Sequence, residues 1–417
     1  MIDFKSNDSI EIFKLKYMIK FLILLKEVSK SMKKNLDKNK FLILLISLLI
    51  VFYIFTPSIT NLNNTKQDIS NQLPLLINQS WWNEDWQYRK EITIDHSKVI
   101  ANLTDFPVLI NVNYDTDLAN NTQDDGDDII FITKSDNQLN HEIEYFNGST
   151  GELVAWINVT SLSSTEDTIF YMYYGNPDCV NQQNATGVWD SGYVMVQHLN
   201  EISDTHYDST SHGNNGSPQN GLNQDADGKF DGADKLDGDD DYIDCGNDLS
   251  LNITDFFSVE VWVNFIEMGN RTWQGIVTKH DYMNWAFAVG GTQAPGKAVI
   301  YITGASGGNS EDVISTSAIN DGLWHHIIAT YDGSITRIYI DGIEEANSTY
   351  LTGPINTSIK NVLIGNYETL PRSFKGKIDE VRISNVVRHT DWIMTEFNNQ
   401  NNSSRFLIFG PEERSIT

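Results

Sequence analysis

Residues 323–346 read LWHHIIATYDGSITRIYIDGIEEA. Apolar residues alternate over 324–331, Asp332-Gly333-Ser334 interrupts them, alternation resumes over 335–340, and Asp341-Gly342 interrupts it again. A period of two sends successive side chains to opposite faces of a strand. An Asp-Gly step suits a type I′ hairpin, whose two central residues need positive φ. The spacing therefore predicts a three-stranded antiparallel meander.

The same pattern extends outward. From Trp81 onward no long amphipathic helix stands out, and short alternating runs recur between Gly, Asn, Asp and Ser clusters. That pattern predicts an all-β body of β-sandwich or jelly-roll type. It divides into a first domain at 81–180, with strands at 88–94, 106–112, 129–133, 143–146, 153–159 and 168–174, and a second at 186–411. Residues 60–80 lack alternation and read as a linker.

Composition limits the function. The 417-residue chain carries a net charge of −27. Residues 1–58 hold ten Lys against five acids, and residues 59–417 hold 51 acids against 19 Lys and Arg. A body that acidic repels phosphate and excludes nucleic acid as a partner. Two cysteines, Cys179 and Cys245, are too few for a disulfide-dense scaffold or a multi-thiolate zinc site. Outside the cell these two can pair.

The N-terminus reads as a membrane element. Residues 41–55, FLILLISLLIVFYIF, carry no charge, and the segment 41–59 approaches the ~20 residues that span a bilayer. Six lysines precede it: Lys26, Lys30, Lys33, Lys34, Lys38 and Lys40. The positive-inside rule keeps the 1–40 tail cytoplasmic and sends the body outside. The segment reads as an uncleaved anchor, with a cleaved signal as the alternative, and Met32 competes with Met1 as the start. Fourteen Asn-x-Ser/Thr sites follow residue 58, which suits a glycosylated extracellular surface.

Two resemblances follow from quoted strings. WWNEDWQYRKEITI (81–94), FPVLI (106–110), GDDIIF (126–131), HEIEYF (141–146) and DTIFYMYYGN (167–176) together resemble a bacterial and archaeal surface-protein domain family of unknown function. GKFDGADKLDGDDDYIDCG (228–246), FFSVEVWVNF (256–265), the meander, NVLIGN (361–366) and FKGKIDEVRIS (374–384) resemble the laminin-G-like, concanavalin-A-like jelly roll of secreted proteins. That resemblance implies a structural calcium ion held near such segments, with Asp237 of LDGDDDYI and Asp379 of IDEVRI as ligands. Period two places Asp379 on one face with Val381 and Ile383, where an acid wants a cation or several N–H donors. A competing calcium reading takes Asn223, Asp225, Asp227, Gly228, Asp231 and Asp234 as an EF-hand-type loop, though Asn leads it and Asp replaces the closing Glu.

The fold hosts lectins, adhesion modules and glycanases alike, so function rests on the site. The E-x-D-x-E strand pattern of jelly-roll glucanases is absent. Glu142 and Glu144 have period-two spacing but read as an exposed strand face. Adjacent His325 and His326 face opposite ways and form no shared clamp. Trp273, Tyr282, Trp285 and Tyr367 fall near loops and strand ends, where rings can stack on sugars. The expectation is a membrane-anchored, extracellular binding protein for glycan or a cell-surface partner, and not an enzyme. A glycan-active hydrolase and a purely structural envelope protein remain the alternatives.

Overall fold

The computed structural model describes residues 81–267, 273–279, 284–290, 294–305, 310–367 and 372–416. The expected tail, anchor and linker at 1–80, and Tyr282, lie outside the described residues. Seven strands come first: β1 (Tyr88–Ile94), β2 (Phe106–Val112), β3 (Ile130–Thr133), β4 (Gln138–Leu139), β5 (His141–Asn147), β6 (Glu152–Val159) and β7 (Thr168–Tyr174), with a short helix α1 (Thr116–Asn121) after β2. Then come β8 (Tyr193–Gln197), β9 (Ser217–Gln219), β10 (Asn223–Asp227), β11 (Gly232–Asp237), β12 (Tyr242–Asp244), β13 (Phe257–Asn264), β14 (Trp273–Lys279) and β15 (Trp285–Gly290). The chain continues through β16 (Lys297–Thr303), β17 (Ser310–Ala318), β18 (Trp324–Tyr331), β19 (Thr336–Ile340), β20 (Ile343–Ser348), β21 (Leu363–Ile364) and β22 (Lys375–Ser384). It ends in α2 (Thr390–Asn401), α3 (Ser403–Phe406), β23 (Leu407–Phe409) and β24 (Glu413–Arg414).

The predicted meander forms. β18 pairs with β19 and β19 with β20, all antiparallel. At the second turn both Asp341 (φ 51°) and Gly342 (φ 79°) are left-handed, as a type I′ turn requires.

Two sandwiches result. In the first, the sheet β23-β1-β7-β3-β4, with β24 also on β1, faces the three-stranded sheet β2-β6-β5. Ile92, Ile94 and Met172 of one sheet meet Val108, Ile110 and Ile157 of the other in a closed core. In the second, a seven-stranded sheet β17-β16-β15-β14-β21-β12-β9 faces an eight-stranded sheet β10-β11-β22-β13-β18-β19-β20, where β8 also pairs with β22. Alternation fills this core with Val259, Val261 and Val263 from β13 and with Trp285, Phe287 and Val289 from β15.

The C-terminus crosses the expected boundary at residue 180. β23 pairs with β1 through Ile92↔Phe409, and β24 through Tyr88↔Arg414. Trp392, Phe406 and Leu407 lie in the first sandwich's core, so residues 81–417 form one compact unit. The twelve-residue α2 is the main departure from an all-β reading. Its buried positions include Thr395, Glu396, Asn399 and Gln400, so no apolar stripe marks it in the sequence.

Cys179 and Cys245 are both free. Cys179 packs beside Trp81 and Trp82 on the first sandwich, whereas Cys245 is buried in the core of the second, so the expected pairing does not form. Asn158, one of the expected glycan acceptors, is buried in β6 and donates to the Val188 carbonyl at 3.0 Å.

Candidate functional site

The seven-stranded sheet turns one face into the core, and the described residues of the other face border a cavity. On β15, Trp285, Phe287 and Val289 point into the core, so Ala286 and Ala288 point out. These small residues form the floor of a cavity of about 160 Å³. Its walls are Trp273 at the start of β14, Tyr301 and Val299 of β16, Asp312 of β17, and Tyr367 and Arg372 beyond β21. Pockets that enclose drug-sized ligands run to about 300–1,000 Å³, so this cavity suits one ring of a larger ligand that continues along the surface.

The polar groups of the cavity are few and opposed in charge. The Arg372 guanidinium lies 5.3 Å from the centre of the Tyr367 ring. Burial pushes the Tyr367 hydroxyl up to about 12, with Arg372 pulling the other way. Lost hydration raises the Asp312 carboxyl above its ordinary value. An aromatic wall, a carboxylate and a guanidinium around a flat apolar floor can stack one ring face and bond hydroxyls at its edge.

Of the four aromatic residues expected here, the structure brings Trp273 and Tyr367 together. Trp285 is fully buried and stacks on Phe257 at 5.6 Å, which makes it core rather than platform. Strand alternation decides this: Trp285 falls on the inward parity of β15. Tyr301, Asp312 and Arg372 were missed. Tyr301 and Asp312 alternate outward on their strands, but only the pairing of β15 to β16 to β17 sets them beside one another.

The opposite outer face, on the eight-stranded sheet, is covered. The first sandwich lies over it through β5 and β6, and α2 lies over β18 and β19, where Ile393 packs on Ile328 and Tyr339. Charged residues fill this seam. His198 donates from Nδ1 to Glu380 Oε1 at 2.8 Å, and its Nε2 lies 3.4 Å from Glu142 Oε2. Trp156 Nε1 donates to Glu144 Oε2 at 2.7 Å, and Trp189 Nε1 to Glu142 Oε2 at 3.0 Å. Arg382 Nη1 reaches Glu260 at 3.0 Å and Glu396 at 2.9 Å, and its Nη2 pairs with Glu380. Glu142 and Glu144 are therefore buried partners of His198, and not the exposed strand face that alternation suggested.

Burial opposes every charge in the seam. At Glu380 the charges of His198 and Arg382 overcome it and hold the carboxyl below its ordinary value. At Glu144 and Asp379, burial and the charge of Glu380 push the carboxyls well up. Burial opposes the charge of His198 too, but three neighbouring carboxylates hold it well above its ordinary value as an imidazolium. At His326, burial first, then Arg382 and Lys229, keep the ring neutral.

Asp379 sits in this seam for a reason period two misses. Between β13 and β22 the register steps from Glu260↔Arg382 to Trp262↔Asp379, so β22 carries one extra residue. Glu380 is left-handed there (φ 53°), a strained conformation for a non-glycine residue. This bulge leaves Ile378, Val381 and Ile383 in the core while Asp379 turns to the outer face. Asp379 therefore does not share a face with Val381 and Ile383. Its Oδ2 accepts from the Lys229 amide at 2.6 Å, and its Oδ1 has no partner.

The expected pairing of Asp379 with Asp237 does not occur. Asp237 lies opposite Lys375, four residues along β22 from Asp379, or about 13 Å at the strand rise. Asp237 instead caps its own turn, where its Oδ1 accepts from the Asp239 amide at 2.7 Å. The EF-hand-type loop is also absent: residues 223–227 and 232–237 form a hairpin with Ala226↔Ala233 and Asn223↔Lys235. The carboxylates that do approach Asp379 are Asp231 and Glu380, and Asp231 meets Glu144. Asp231 Oδ1 and Glu144 Oε1 are buried without partners, like Asp379 Oδ1.

The second sandwich is thus two antiparallel sheets with a cavity on the outer side of one of them. Residues 237–394 match the concanavalin A-like lectin/glucanases superfamily, and residues 125–215 match a domain family of unknown function. No curated protein matches the chain. Among solved structures, the chain is similar to the binding domain of paraclostridial mosquitocidal protein 1, at 15% identity and TM-score 0.44, covering 51% of this chain and 53% of that one. It is similar to domain 4 of an extracellular arabinanase from Geobacillus stearothermophilus in complex with arabinotriose, at 22% identity and TM-score 0.39, covering 49% of this chain and 98% of that one. It is also similar to the binding domain of botulinum neurotoxin serotype G, at 16% identity and TM-score 0.40, covering 51% and 52%. The chain spans about half the length of the mosquitocidal and neurotoxin structures.

Proposed function

We propose that this chain is a membrane-anchored, outward-facing glycan-binding protein that uses the open face of the seven-stranded sheet and does not turn its ligand over. The observation that carries the reading is the small-residue floor of Ala286 and Ala288 walled by Trp273, Tyr301 and Tyr367. A pyranose presents an apolar C–H face to such rings and hydroxyls to Asp312 and Arg372. Among the described residues that line the cavity, Asp312 is the one carboxylate, whereas glycoside hydrolysis uses two. The apolar segment 41–59 and its preceding lysines support the anchor and the topology.

The test is the full chain on a glycan array, with hydrolysis of each bound glycan followed in parallel. Binding that is lost in Trp273→Ala and Tyr367→Ala, without release of product, is the expected result. No binding to any glycan, or product release from one, removes the reading. Protease added to intact cells should digest the region beyond residue 80, and protection until lysis contradicts the topology.

We further propose that calcium binds at Asp379, whose Oδ1 is buried without a hydrogen-bond partner. Bound there, the ion supplies the positive charge that this buried acid lacks. An ion that binds only the folded state adds RT ln(1 + [L]/Kd), about 2.7 kcal/mol at a hundredfold excess over Kd. The melting temperature should rise with calcium, fall with chelator, and lose most of that difference in Asp379→Asn. A metal-free chain whose melt ignores calcium overturns the assignment.

A further inference from the structure

The seam holds a second group of unpaired ligand atoms. Glu260 of β13, His326 of β18 and Glu396 of α2 are each at most 3% exposed. Each places one ligand atom within 4.8 Å of the others. Glu260 Oε2, Glu396 Oε2 and His326 Nδ1 are the atoms left without a hydrogen-bond partner. Buried polar atoms are normally satisfied, so an unpartnered atom on each of three clustered residues calls for a ligand or a shared proton.

The surroundings pre-set these atoms. Arg382 Nη1 holds Oε1 of both Glu260 and Glu396, and Gln400 Nε2 donates to the same Glu396 oxygen at 3.1 Å. Such contacts orient metal-ligating carboxylates. The His326 ring lies against Trp262 at 4.9 Å and 21°, which fixes its plane. Glu260, Glu380 and Glu396 share the Arg382 guanidinium, and Glu380 also pairs with His198. Burial, then the charge of Glu260, raises the Glu396 carboxyl well above its ordinary value.

We propose that Glu260, His326 and Glu396 bind a second divalent cation of the zinc class, which fastens α2 to the outer face of the eight-stranded sheet. Two carboxylate oxygens and one imidazole nitrogen suit zinc or cobalt, whereas calcium takes oxygen ligands. The ion closes the seam at the point where the chain leaves the second sandwich to complete the first. The competing account is one proton shared between Glu260 and Glu396, with no ion.

The test uses the full chain purified from cells grown with cobalt in place of zinc, with calcium in excess throughout. The wild-type chain should retain about one cobalt through dialysis and show the visible absorption of a nitrogen- and oxygen-ligated ion. Glu396→Gln and His326→Gln should each lose the ion and the absorption, while Asp379→Asn keeps both. A folded wild-type chain that retains no cobalt overturns the proposal and leaves the shared proton. Cobalt retained in both variants places the ion elsewhere and overturns it equally. The wild-type reading stands even where a variant fails to fold.

Discussion

The two outer faces of the second sandwich are woven from the same kind of alternating strands, yet they differ in every other respect. The seven-stranded sheet presents Ala286, Ala288 and Tyr301 outward, and among the described residues they line a cavity rather than pack under a helix. The eight-stranded sheet presents Glu260, Trp262, His326 and Arg382 outward, and all four are buried under the first sandwich and α2. Small residues with a few rings leave room for a transient ligand. Large aromatic groups gain from a permanent cover, and the ionic groups beneath it must pair with one another, because an uncompensated buried charge costs several kcal/mol. The difference teaches that in this fold the apolar pattern builds the sandwich, while the outward set decides whether a face is a site or a seam.

The largest effect should come from removing the cover. A chain ended after Arg388 lacks α2, β23 and β24, so β1 loses both partners on one edge and Ile328 and Tyr339 meet water. Loss of cooperative folding in the first sandwich is expected, read as the collapse of amide-exchange protection in β1 and β7. Unchanged protection there would show that the cover is dispensable and break the comparison.

Next comes the centre of the seam. Arg382→Met leaves Glu260, Glu380 and Glu396 buried without their shared cation. Breaking a buried pair from one side costs about 3–5 kcal/mol. Denaturant unfolding should show a loss of that order. A loss below about 1 kcal/mol would mean that the carboxylates are already neutral.

Much of the fold was legible in the sequence, and the reason is local. Strands β1, β2, β7 and β18 have the bounds that alternation assigned, since each has one face in a core. The seam was not legible. Asp379 was assigned to an apolar face because one inserted residue, with Glu380 in a left-handed conformation, reverses the parity of β22. Glu142 and Glu144 looked like a solvated face because much of their cover, from Trp189, His198 and Ser209, comes from segments 47 to 67 residues from Glu142 in sequence. Helix α2 was invisible because Trp392 and Ile393 are followed on its buried side by Thr395, Glu396, Asn399 and Gln400, so no apolar stripe runs along it. At the open face, the sequence supplied Trp273 and Tyr367. The pairing that sets Tyr301 and Asp312 beside them is tertiary.

A pH effect of intermediate size sharpens the contrast further. His206 is fully buried between Glu201 (2.8 Å) and Asp234 (3.0 Å), which ties its loop to β11 of the covered sheet. Burial works against its charge, but these two carboxylates raise the imidazole to about 9. A raised folded value means that the stabilisation is complete below the unfolded value near 6.5 and is lost as pH rises through about 9. The span allows up to about 3 kcal/mol, part of it offset because burial also raises Asp234. Stability should fall between pH 6.5 and 9, and His206→Gln should flatten that slope. An equal slope in the variant would assign the alkaline loss to another group.

The smallest stability effect belongs to the open face, and it most directly separates a site from a seam. Trp273 is half-buried at the cavity wall, and among the described residues no helix or strand is shown packed over it as α2 packs over Ile328. Trp273→Ala should therefore change unfolding stability by only about 1 kcal/mol, near the typical value for a point substitution. Binding should respond far more. A ring that stacks on a ligand at the centre of an interface contributes about 2 kcal/mol or more, or a thirtyfold loss of affinity. Titration of the glycan found on the array, beside a denaturant melt of the same sample, gives both numbers. If affinity and stability fall together, Trp273 is holding the sheet and the open face is a thinner seam. If affinity falls alone, the two faces of one sandwich have been assigned different tasks by the residues they turn outward.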